Sequence, residues 1–190
     1  MNSILVAGIG NIFLGDDGFG SEVARRLMQR LAVPGLRVAD FGIRGLDLAF
    51  ALTDGWHTTI IIDAMPRGGE PGTIYVVEAD LSTIDDGPVA LEAHAMDPIR
   101  VLALARSMGA ELKNILIVGC EPETFGSPDE GQLGLSSSVA RAVESAIDVI
   151  ETLVAKRKHK KQKESRHEHG LENYRRHHSR GSGRRHGDEH

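Results

Sequence analysis

Two adjacent carboxylates, Asp16 and Asp17, sit in a glycine-rich stretch, LVAGIGNIFLGDDGFG, that leads from an apolar run toward a helix. Further acids stand where other apolar runs end: Asp40 after LRVA, Asp63 after TTIII and Glu121 after ILIVGC. Carboxylates gathered in this way can carry protons or donate oxygen to a cation. In an open sheet of mostly parallel strands, the carboxyl ends of the strands share one rim, where the diverging loops leave a crevice. Solvation of loop ends is the plain alternative for any one of these acids.

The glycines invite a dinucleotide-binding reading, and the residues argue against it. The fingerprint G-x-G-x-x-G requires a third glycine, and this chain reads Gly8, Gly10, Phe13. A pyrophosphate is held by bare amides and the positive end of a helix, and two carboxylates in the same loop would repel it. A divalent cation suits the loop better. No D-x-D-x-D-G calcium loop is present, and His94 stands in LEAHAMDP, just ahead of a helix start. One imidazole with carboxylates tilts the set toward a first-row transition metal, although a lone histidine before a helix also serves as a cap or surface residue.

These side chains need elements to position them. Ile4 to Gly8 suits a strand buried on both faces, and Phe19, Val23, Leu27 and Leu31 recur every fourth residue as the apolar face of a helix. Leu36 to Phe41 and Thr58 to Ile62 read as the second and third strands, with a short helix over Leu46 to Leu52 between them. The βαβ rhythm predicts parallel pairing through right-handed crossovers. The turn cluster PRGGEPG is too short to hold a helix, so a fourth strand over Thr73 to Val77 should run antiparallel at an edge. Asp97 and Pro98 form an N-cap and first-turn pair for a helix to about Met108, and a fifth strand follows over Asn114 to Val118. Serine caps open a final helix with Val139, Val143, Ile147, Ile150 and Val154 on one face. The expected fold is a three-layer α/β/α domain, phosphorylase/hydrolase-like, around a mostly parallel five-stranded sheet with one antiparallel strand.

Length and composition set the bounds. The chain has 190 residues, 41% of them hydrophobic and 26% charged, which suits one soluble α/β domain. Its apolar runs fall far short of the roughly 20 residues a membrane span requires, and no basic segment with a cleavage motif opens the chain, so a cytoplasmic protein is expected. Cys120 is the only cysteine, which leaves no disulfide and no multi-cysteine zinc site within the chain. The net charge of −5 conceals a division: residues 156–190 hold 12 Lys/Arg against 5 Asp/Glu, and residues 1–155 hold 10 against 22. Seven of the nine histidines lie in that basic tail, which has almost no large apolar side chains and is expected to be disordered. Scattered imidazoles there could capture nickel or zinc, and a solubilising tail is the plain reading. The expected organisation is a catalytic domain over 1–155 and a tail over 156–190.

GIGNIFLGDDGFG, IIIDAM, the isolated His94 ahead of a D-P helix, IVGCEPE and GLSSSVARAV occur in that order, and together they resemble the nickel-iron hydrogenase maturation endopeptidases over residues 3 to about 155. The resemblance implies that Asp17, Asp63 and His94 engage nickel, with Asp16 matching a further family acid. It implies removal of a short C-terminal peptide from the nickel-loaded precursor of the hydrogenase large subunit, with the nickel supplied by that precursor. Asp17 and Asp16 are then the candidates for handling the proton, and Asp16 has a second possible role as a loop brace. The implied partner is the precursor, with no nucleic acid and no membrane, and the chain itself is expected to be a monomer. The chain departs from the family's D-G-G-T-x-G after the second strand: it reads DFGIRG, with Phe41 for a glycine and Ile43 for a polar residue. A nickel-binding metallochaperone or storage module is the rival reading, supported by the tail, and it has no need of the set Asp17, Asp63 and His94. A two-metal aminopeptidase would require more ligands than this rim offers.

Overall fold

A computed structural model describes residues 3–84, 97–127 and 129–179, the side chains of residue 83 and of those after residue 158 excepted. The strands are β1 (Ile4–Ile9), β2 (Leu36–Gly42), β3 (Thr58–Ala64), β4 (Ile74–Glu78) and β5 (Ile115–Cys120). The helices are α1 (Phe19–Arg30), α2 (Gly45–Leu52), α3 (Pro98–Ser107) and α4 (Ser137–Ser179). One sheet holds all five strands in the order β2-β1-β3-β5-β4. Pairing is parallel from β2 through β5, and β4 runs antiparallel along β5 at the edge, as its short connection requires.

Alternation along each strand divides the core between the two faces of the sheet. Leu5, Ala7, Ile9 and Ile61 pack with Leu48, Ala49 and Leu52 of α2 and with Val101, Leu102 and Ala105 of α3. On the other face, α1 crosses close to the strands because glycines permit it. A Cβ on Gly8 would lie 2.2 Å from the Gly20 carbonyl oxygen, and one on Gly20 would lie 2.1 Å from the Ile62 oxygen. The glycines of the first motif therefore serve helix-on-sheet packing. Glu144 of α4 takes ion pairs from Arg26 and Arg30 of α1, which places the start of α4 on the same face. The layers are those expected from the sequence.

Three boundaries differ from the sequence reading, and the first two lie at the strand ends that carry the rim. Strand β3 extends to Ala64, so Asp63 lies within the strand, opposite Gly119 of β5, instead of in the loop after it. Strand β5 extends to Cys120, whose side chain is fully buried. The backbone of α4 is helical through Ser179, where composition led us to expect a tail without order from residue 156. Lys, Arg, Glu and Gln are strong helix formers, and residues 156–169 contain neither proline nor glycine. The chain divides into two compact units, 1–151 and 152–190. Among the described residues, no helix is long and apolar enough to cross a membrane.

Candidate active site

The site grows from the loop that joins β1 to α1. Its backbone is folded back on itself: the amides of Gly10, Leu14, Gly15, Asp16 and Asp17 donate to the carbonyls of Gly42, Asn11, Gln132, Thr124 and Leu14. The Asn11 amide donates to Oδ2 of Asp17 at 2.7 Å. A phosphate would find these donors already taken, which agrees with the argument from charge.

Asp16 and Asp17 have different surroundings despite their adjacency. Asp16 is fully buried, and its two oxygens accept three main-chain amides: Glu123 at 2.8 Å, Thr124 at 3.1 Å and Ser136 at 2.7 Å. It closes the ends of the segment between β5 and α4 onto the first loop. Of the two roles open to it, this geometry is that of a brace. Asp17 is half-buried and, among the described residues, accepts only the Asn11 amide. Burial raises its pKa above the ordinary carboxylate value, and the Asn11 hydrogen bond offsets part of that rise.

Asp63 lies near enough to Asp17 for the two charges to interact. Its carboxyl is raised well above the ordinary value, first by burial and then by the charge of Asp17, with a smaller contribution from Asp97. The Ala64 amide, at 2.8 Å from Oδ1, opposes the shift. Asp63 is thus buried beside a second carboxylate, and a proton or a cation would relieve the cost of both its burial and the charge of Asp17. His94 falls in residues 85–96, outside the described residues. Among the described residues, no group of three or more His, Cys, Asp or Glu is arranged to hold a metal.

The remaining rim acids are committed elsewhere. Asp40 accepts the Gly42 amide at 3.0 Å, and Arg25 approaches its other oxygen at 3.8 Å. Glu121 is buried and accepts amides of the β3–β4 loop and the Tyr75 hydroxyl. Sequence reasoning placed Glu121 on the rim and missed this function, because its partners lie 46 to 54 residues away. Cys120 is no nucleophile: burial, and then the charges of Asp16 and Glu121, push its thiol up to about 12. The two departures in DFGIRG separate in space. Phe41 is buried against α2, whereas Ile43 is 61% exposed beside a 310 Å³ cleft that reaches Asn11 and Phe13.

Comparison with known proteins gives this architecture its relatives. The family model described as hydrogenase maturation protease matches residues 21–153. The hydrogenase expression/formation protein HupD of Bradyrhizobium diazoefficiens is 34% identical over 131 residues, covering 67% of this chain and 68% of that protein. HupM of Azotobacter chroococcum, described in the same words, is 33% identical over 158 residues, covering 79% and 75%. Among solved structures, the hydrogenase maturating endopeptidase HybD of E. coli superposes with a TM-score of 0.63 at 26% identity, over 81% of this chain and 93% of that one. A sequence match over most of the chain and a shared fold across four-fifths of it lead to one conclusion: the chain belongs to the hydrogenase maturation protease family and is an endopeptidase of hydrogenase maturation.

Proposed function

We propose that this endopeptidase removes a C-terminal peptide from the precursor of a nickel-iron hydrogenase large subunit, and that nickel already carried by the precursor is what it recognises. The two acids Asp17 and Asp63, each with its carboxyl pushed up by burial, carry this reading. Their carboxyls are held in surroundings that disfavour two negative charges, so an arriving divalent cation gains two anionic oxygens and relieves the repulsion between them. His94, ahead of α3, is assigned as the third ligand. Three side chains without a thiolate make a weak nickel site, which suits a metal that arrives with its own ligands on the substrate.

In this mechanism, docking of the metal fixes the scissile peptide against the rim, and orientation supplies much of the rate enhancement. Asp17, the less enclosed of the first two acids, takes the proton from the attacking water. Asp16 acts only by holding the loop. The test is incubation of the purified protein with nickel-loaded and nickel-free precursor, followed by intact-mass measurement. Loss of a C-terminal peptide from the loaded form alone is expected. Equal cleavage of both forms would overturn nickel recognition and leave an ordinary endopeptidase.

A further inference from the structure

The β3–β4 loop, residues 65–73, leaves the strand that carries Asp63 and wraps around one buried carboxylate. The Glu121 oxygens accept the Arg67 amide at 2.9 and 3.1 Å, the Gly68 amide at 3.0 Å and the Tyr75 hydroxyl at 2.9 Å. Two successive amides thus form a concave nest, of the kind that binds anions, and the chain fills it with its own side chain. A Cβ on Gly69 would fall 2.2 Å from the Tyr75 hydroxyl oxygen, so a larger residue there would push that hydroxyl from its place against Glu121. The main chain of Glu121 is tied to the other end of the loop: its amide donates to Thr73 and its carbonyl accepts from Gly72. Burial pushes its carboxyl up, but the amides and the Tyr75 hydroxyl pull harder and leave it below the ordinary value, so it stays charged.

The held loop borders Asp63. Met65 donates its amide to the Cys120 carbonyl at 2.8 Å, and its side chain lies over Gly119, the residue that faces Asp63 in the β3–β5 register. Met65 thereby walls the strand end on which Asp63 is presented. We propose that Glu121 is a positioning residue for cleavage: it clasps residues 67 and 68, and through Met65 it keeps the strand end bearing Asp63 in its working geometry. This rests on the reading of the rim as the cleavage site.

The loop contains its own reporter, since Arg67 is exposed and followed by Gly68, so trypsin can cut there once the amides are released. The full-length protein and its Glu121→Gln variant are compared by trypsin nicking at the Arg67–Gly68 bond and by kcat and KM for nickel-loaded precursor. Glutamine has one acceptor oxygen where the nest requires two, so nicking should quicken about tenfold as the loop opens. The kcat should fall about tenfold while KM stays within about threefold, because a displaced reacting group is lost from the transition state more than from binding. Tyr75→Phe removes a single donor and keeps the ring, so it should shift both readouts in the same direction by less. It also decides the matter if Glu121→Gln fails to fold. Unchanged nicking would show that Glu121 does not hold the loop, and faster nicking with unchanged kcat would show that the loop does not reach Asp63; either result overturns the proposal. If the unmodified protein cleaves no precursor, the functional reading fails, and the nicking rates alone still decide the clasp.

Discussion

Asp16 and Asp17 are neighbours in sequence with opposite bonding, and substitutions should separate them. Asp16→Ala leaves the Glu123, Thr124 and Ser136 amides without their acceptor. A loss of about 2–4 kcal/mol in urea unfolding is expected, and precursor cleavage should fall with it. Asp17→Asn and Asp63→Asn should go the other way. A carboxyl whose pKa is raised in the folded state favours folding fully only below its ordinary value, and that contribution is lost as the pH rises through the folded value. At neutral pH the wild type carries this penalty and the amide variants do not. They should therefore melt higher, by about 2–4 °C for each 1 kcal/mol relieved, with the gap closing as the pH falls toward the ordinary carboxylate value. Thermal melts across that range test the sign, and cleavage of nickel-loaded precursor should be largely lost in both variants. A site more stable without its acids has traded stability for chemistry.

Among the elements, the contact of α1 with β1 and β3 is the least forgiving. Gly20→Ala would set a methyl group 2.1 Å from the Ile62 carbonyl and 2.3 Å from that of Ile9, neither of which can move without breaking the sheet. Destabilisation of about 3 kcal/mol or more is expected, measured by denaturant titration. That contact also marks the limit of what the sequence could tell. The strands, α1 to α3 and the antiparallel β4 were legible because apolar periodicity and turn residues are local signals. The rim acids were legible because strand ends in such a sheet share one edge. What Glu121 does there was not, and for Asp16 the brace stood only as one of two roles. Their partners are main-chain amides from distant loops, which no residue type advertises. The helical backbone of residues 156–179 reflects strong helix propensity, a signal that composition read for burial alone does not weigh.

For the whole molecule, residues 1–151 form a unit with its own core. A chain ending at Ala155 should fold and cleave nickel-loaded precursor at the full-length rate when nickel is ample, as followed by mass spectrometry. Chelator treatment of the enzyme alone, followed by removal of the chelator, should leave that rate unchanged, because the metal belongs to the substrate. The division of charge, acidic in 1–155 and basic in 156–190, predicts that any contribution of the tail to precursor binding weakens as ionic strength rises. Cys120, buried with its thiol pushed up to about 12, has a consequence for the bench. The native protein has no thiol that maleimides would readily modify, so a cysteine introduced at exposed Ile43 or Leu133 would be the sole attachment point for a nitroxide or fluorophore. Distances from such a label to a docked precursor could then be followed in the native background, with no cysteine to remove first.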